Sequence, residues 1–429
     1  MRRDAAMVLW PKRFLTSSLC LLLVSAGTQA QQWTRFRGPD GQGIAISDSV
    51  AAMPVAWQPE DYDWKITLPG GGHSSPVVWQ DKVFVTSGDR KTGKRYLLAI
   101  NAADGTEIWR RDFAFSPYYT NSLNSFATGT PSVDADAVYV LWPAEEETLL
   151  AAVSHAGRLL WQCEFAGVQT QHGPGNSTIV EADLVVFAHE QRSTDKAVAG
   201  QWIAVDRRTG QTRWTIDREN SINVSYSTPC MYGSGAHQAL IFNSFTNGVS
   251  AVDPATGRIL WEMPSAFPKR VVSSPVIAGD LILGSCGQGG AAHHLIAIRP
   301  PTESSVEAAV AYRVTGRSAP YVSTSLAADG MLFTFGDNGD VSCIDAATGQ
   351  TLWCEKPAGK FYGSPVLVAD RVYCINREGQ VVVLRAARKY ELLAVNDLGE
   401  MSHATPAVAD GRMLLRTFSQ LTCISGKAK

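Results

Sequence analysis

The sequence predicts an all-β fold, an eight-bladed β-propeller of four-stranded antiparallel blades closed by an N-terminal strand. Three observations carry that expectation. A hairpin phrase ending in Trp recurs along the chain, a hydroxyl residue followed by Pro and a short apolar run recurs between its copies, and the last repeat stops one strand short.

The hairpin phrase is clearest as AVDRRTGQTRW at residues 204–214, AVDPATGRILW at 251–261, CIDAATGQTLW at 343–353 and AINAADGTEIW at 99–109, with a degenerate AVSHAGRLLW ending at Trp161. Two apolar residues, a polar turn with Gly and an alternating run into Trp are the pattern of a β-hairpin. Trp109, Trp161, Trp214 and Trp261 are spaced by 52, 53 and 47 residues, and Trp353 follows after 92, two units of 46, with Tyr312 in the gap. Four strands in a repeat of this length make a propeller blade, which buries its faces only by stacking on neighbours around an axis.

The second motif places a hydroxyl at Ser75, Thr130, Ser177, Thr228, Ser274, Thr324, Ser364 and Thr405, and six of these precede Pro. Their expected role is hydrogen bonding to backbone at a strand start. The final copy ends with the third strand SQLTCIS, so the segment DYDWKITLPG at 61–70 is expected to supply the fourth and remove two exposed sheet edges. Trp64, Trp109, Trp161, Trp214, Trp261 and Trp353 are the expected docking residues between blades. Deleting residues 31–69 should then open the last blade, whereas trimming residues 31–35 should be mild.

The 429 residues carry a net charge of -2, with 45% apolar and 18% charged residues, 37 Gly and 12 Trp. This is the composition of a folded globular chain without a basic field for nucleic acid. Basic residues Arg2, Arg3, Lys12 and Arg13 precede the uncharged stretch 14–30, which reads as a signal peptide ending near Ala30 and is too short to span a bilayer. The expected organisation is therefore a signal peptide at 1–30, an arm at 31–60 and a propeller at 61–429, exported to the periplasm or beyond, with no membrane span after cleavage. Seven cysteines remain after the leader, none adjacent and none in a C-x-x-C pair, so metal, c-type haem and dithiol redox chemistry have no motif.

These phrases resemble the pyrroloquinoline-quinone (PQQ) repeat, shared by quinoprotein alcohol dehydrogenases and the non-enzymatic outer-membrane assembly lipoprotein BamB. The endings DRRTGQTRW, DPATGRILW and DAATGQTLW resemble that family's tryptophan-docking motif, and WTRFRGPDGQG at 33–43 resembles the opening of a secreted bacterial subgroup. The dehydrogenase branch implies an adjacent Cys-Cys pair, acidic and amide residues holding calcium and a catalytic Asp; no Cys-Cys occurs here, and neither does the lipobox cysteine of BamB. The expectation is a non-catalytic binding or scaffold module without cofactor or metal, whose partner is an envelope protein or a polar small molecule. A PQQ-dependent dehydrogenase-like oxidoreductase is the alternative.

In a propeller the connections from one blade's Trp strand to the next blade's hydroxyl-Pro share one end of the channel. Here they carry aromatic, amide, His and basic residues, whereas the opposite connections are plain turns such as PATG. Arg37, His73, Tyr226, Arg270, Tyr362 and His403 are therefore expected to face one shared depression and bind the ligand.

Overall fold

The protein is described from a computed structural model covering residues 32–45, 53–193, 200–219, 223–289, 291–302 and 305–426. The signal-peptide expectation for residues 1–30 lies outside the described residues. The rest builds eight antiparallel sheets, each a blade in which consecutive strands are neighbours. Blades 1 to 7 span residues 77–113, 132–166, 179–218, 230–263, 276–315, 326–355 and 366–397, and blade 8 spans 407–425.

Blade 8 takes its outermost strand from the N-terminal side. Trp64–Thr67 pairs antiparallel with Gln420–Ser425, with Trp64 opposite Cys423 and Thr67 opposite Gln420. This joins the two ends of the propeller and leaves blade 8 with the same four strands as its neighbours.

Seven of the eight blades are docked on the next by one aromatic side chain, and blade 7 has Ala394 at the corresponding position. The indole N–H groups of Trp64, Trp109, Trp161, Trp214 and Trp353 donate to the carbonyls of Ala102, His155, Arg207, Pro254 and Ala387 at 2.9–3.1 Å. Where blade 5 lacks the Trp, the Tyr312 hydroxyl donates to Ala346 at 2.7 Å. Trp261 packs on the cluster holding Ile282 and Ile298. The turn under most of these rings is a Gly at positive φ, as at Gly105, Gly210 and Gly257, where an added Cβ would stand 2.6–2.8 Å from the indole. Glycine is thus required twice over, for its backbone angle and for the ring's approach. A register shift in the outer hairpin, between Ala204 and Val205 for example, aims the Trp across the blade boundary.

The recurrent hydroxyl residues hold the inner wall together. Backbone N–H groups of Ser75, Thr130, Thr228, Ser274, Thr324, Ser364 and Thr405 each donate to the corresponding hydroxyl of the next blade at 2.9–3.1 Å, Thr405 to Ser75 closing the circle. The preceding Ser74 and Ser273 tie the same segment to the second strand of their own blade, on Thr86 and Ser285. The following Pro holds the hydroxyl residue extended and brings no N–H to a strand edge that faces the channel.

The arm turns into the propeller axis at the end where the inner strands finish. Trp33 pairs with Val78 of blade 1, Val133 of blade 2 donates to Thr34, and Ile44–Ala45 adds a parallel strand to Val366–Val368 of blade 7. Between these points Arg35 donates to Pro229, Arg37 to Thr324, and Gln42 accepts from Ile277, so the arm also grips blades 4, 5 and 6. The segment is a plug across one end of the channel. Trp33 and Arg37 are fully buried and Arg35 is 4% exposed. This corrects the expectation that trimming residues 31–35 is mild, because the trim removes two buried side chains that seat the plug.

Candidate binding site

The other end of the channel opens into a cavity of about 380 Å³, built in tiers that follow the strand period. All eight recurrent hydroxyls line it, with Phe36 of the plug. In an extended chain residues i and i−2 face the same side. The residues two positions earlier, His73, Thr128, Gly175, Tyr226, Val272, Val322, Tyr362 and His403, accordingly line it too. The remaining wall comes from the connecting segments, through Asn121, Leu123, Asn124, His172, Arg270 and Tyr321.

Blades 7, 8 and 1 contribute an aromatic arc. The His73 and His403 rings stack at 4.3 Å with a 24° angle, Tyr362 meets His403 edge-on at 4.8 Å, and the Arg377 guanidinium covers Tyr362 at 4.6 Å. Both imidazoles are held neutral. Burial pushes His73 well below 6.5, with His403 and Arg416 adding to the effect, and burial with Arg377 pushes His403 down to about 4. The His403 Nδ1 lies 3.1 Å from the Leu123 carbonyl, an acceptor, so the proton sits on Nδ1 and Nε2 keeps a lone pair. That bond also holds the loop around Leu123, between blades 1 and 2, against blade 8.

A polar arc centred on Arg270 comes from blades 3 to 6. Arg270 donates from Nη1 to His172 Nε2 at 2.9 Å and to the Tyr321 hydroxyl at 3.4 Å, and from Nη2 to Asn223 at 3.1 Å. Burial and the Arg270 charge lower the His172 pKa, and burial raises that of Tyr226 to about 12. Tyr226 is thus a neutral donor at physiological pH.

Five of the six residues expected in the depression, His73, Tyr226, Arg270, Tyr362 and His403, line this one cavity. Arg37 does not, and its placement is a correction. It lies beneath the floor within the plug, at φ 65°, donating to the Thr324 carbonyl at 2.8 Å and to Gln42 at 2.7 Å. The RGPDGQG turns fold its side chain inward, with the Gly43 amide bonded to the Arg37 carbonyl. His172, Tyr321 and Asn124 were not in the expected set. The i−2 rule also covers Thr128, Gly175, Val272 and Val322, whereas His172 enters from one of the connections expected at this mouth, where no strand period says which side chain turns inward.

The family model described as outer membrane protein assembly factor BamB matches residues 27–215, 93–319 and 317–427. The chain belongs to that family. Among its relatives, outer membrane protein assembly factor BamB of Yersinia pestis is 21% identical over 363 residues, 82% of this chain and 75% of the relative. The crystal structure of BamB from Moraxella catarrhalis matches 85% of this chain and 97% of its own with a TM-score of 0.58 at 14% identity. The quinohemoprotein alcohol dehydrogenase of Comamonas testosteroni matches 93% of this chain and 81% of its own with a TM-score of 0.61 at 12% identity. These structural likenesses show a shared fold.

Proposed function

We propose that this BamB-family propeller is a non-catalytic binding module of the cell envelope, holding a protein segment or a polar ligand in the open end of its channel. The observation that supports this most directly is the blind cavity itself. One end is plugged by the chain's own arm, and the other gathers directional side chains from every blade around an aromatic arc and a fixed guanidinium. Tyr, His and Arg combine contact area with directional donors, the composition of recognition surfaces. The assembly role in the relatives' names, together with the leader-like N-terminus, supports an envelope protein as partner. Among the described residues no helix is long and apolar enough to cross a membrane.

The dehydrogenase alternative asks for groups that the cavity does not offer. The described residues lining it include no Cys, Asp or Glu, so neither a vicinal cysteine pair nor a carboxylate ligand for calcium faces the cavity. The module is therefore proposed to work without PQQ or metal. The test is a pull-down of the exported protein from its native envelope, compared with the Arg270→Ala/Tyr362→Ala/His403→Ala variant. The variant should keep its β-sheet spectrum and lose the partner. Capture at full strength would place the binding surface elsewhere, and PQQ-dependent turnover of an alcohol by the native protein would overturn the non-catalytic reading.

A further inference from the structure

The floor of the cavity is a crown of eight hydroxyls, and the use already made of each one determines what it still offers. A hydroxyl has one hydrogen to give and two lone pairs to accept with. Seven of the eight accept a backbone N–H from the preceding blade. Among the described residues none of the eight donates its hydrogen to a protein acceptor, and all eight line the cavity. Accepting a bond strengthens the same group as a donor. The crown therefore presents up to eight O–H donors, seven of them polarised in this way, to whatever sits on the axis.

Among the described residues no carboxylate lines the cavity, and Glu378, Glu400 and Asp40 act on His403, Arg416 and Arg37 only from beyond ion-pair distance. Arg270 is held by His172, Tyr321 and Asn223, all neutral. Behind the wall, the fully buried Arg416 donates to the carbonyls of Ser74 and Thr86, and below the floor the fully buried Arg37 donates to those of Thr324 and Gln42. Burial lowers both, Arg416 to about 9 and Arg37 to about 10, which leaves them charged at neutral pH. Asp337, behind Tyr321, faces His293 at 3.6 Å. Desolvated cations that form no close ion pair are costly, and an anion in the cavity would relieve that cost. A neutral polyol would satisfy the hydroxyls and leave the cations as they are.

We propose that the ligand of this cavity carries an oxyanion, a carboxylate, phosphate or sulfate group, seated over the hydroxyl crown beside Arg270. This rests on the binding reading above and adds the charge of what is bound. The aromatic arc of Tyr362, His403 and His73 supplies an apolar face for the rest of the molecule.

The test is calorimetric titration of the mature protein with inorganic phosphate and with sulfate in chloride-free buffer, with glucose as the uncharged probe. Thr228→Val removes one crown donor, and the Thr228 hydroxyl takes none of the seven inter-blade bonds, so the ring of bonds is kept. Arg270→Gln removes the charge on the wall. Saturable anion binding is expected, weakened on the order of tenfold in Arg270→Gln and about threefold in Thr228→Val, consistent with the loss of a charged and a neutral hydrogen bond. Anion binding unchanged in both variants overturns the proposal, as does saturable binding of glucose with none of either anion. Either result leaves the binding reading standing if partner capture still depends on Arg270, Tyr362 and His403. Capture that survives the triple variant removes the binding reading instead.

Discussion

Replacing Trp64 by Ala asks whether the propeller is closed in solution by the strand that the N-terminal side lends to blade 8. Trp64 is 7% exposed, its ring covers the Gly105 turn of blade 1, and its indole N–H reaches the Ala102 carbonyl at 3.0 Å. Truncating a buried Trp costs about 4 kcal/mol. Trp64→Phe, which keeps most of the ring and drops the hydrogen bond, should cost about 1 kcal/mol. Trp214→Ala is the internal reference, since Trp214 is also 7% exposed and docks on Pro254 in the same way, within a blade built from consecutive strands. Urea unfolding of residues 31–429 followed by far-UV circular dichroism gives the three stabilities. Amide exchange separates docking from closure. Gln420–Ser425 lies between Arg412–Arg416 and Trp64–Thr67, and its amides facing Trp64–Thr67 should exchange faster in Trp64→Ala and stay protected in Trp214→Ala. A cost below about 1 kcal/mol for Trp64→Ala, or unchanged protection of those amides, would refute closure by this strand.

Arg37→Met should cost about 3 kcal/mol, read in the same urea experiment, because it leaves the buried Thr324 and Gln42 carbonyls without their donor; a neutral effect would mean that the plug does not hold the channel end. Tyr312→Trp should be tolerated, with an indole N–H again able to reach across the blade boundary, whereas Tyr312→Phe should lose about 1 kcal/mol with its bond to Ala346. Below neutral pH the stability should fall. His403 titrates near 4 in the folded chain and near 6.5 unfolded, so the unfolded state takes up the proton first. The loss begins as the pH drops below about 6.5 and is complete below about 4, and a shift of that size is worth about 3 kcal/mol at most. His403→Gln should flatten that part of the profile, and His403 proton resonances that titrate near 6.5 in the native protein would contradict the half-buried, neutral imidazole.

Much of the fold was legible because a propeller writes one local rule many times. The Trp at a hairpin end, the Gly three strands on against which it packs and the hydroxyl before Pro are short-range choices, and their period states how many blades stack. Even the missing last strand was visible, since a hairpin without its partner in blade 8 and an unassigned strand around Trp64 call for each other. The hydroxyls also had the right kind of partner, backbone at a strand start, although only the closed ring shows that each N–H reaches the next blade rather than its own.

The cavity was legible to the extent that strand period carries it. His73, Tyr226, Tyr362 and His403 sit two residues before their hydroxyls, and alternation alone turns them toward the axis. Arg37 and His172 show where that logic ends. Arg37 lies in an irregular segment whose glycine turns reverse the chain, so no periodicity says which way its side chain points, and it became part of the plug rather than the mouth. His172 comes from a connection with no period at all, and it joins Arg270 across 98 residues of chain. What the sequence by itself determined is the repeat: strand count, docking residues, ring closure and the axial face of each inner strand, all products of local geometry. What only the tertiary structure decided is the chemistry at the axis, meaning which end is sealed, which cations form no close ion pair and which hydroxyl hydrogens remain unused. Those depend on distances between blades far apart in sequence, and local propensity holds no record of them.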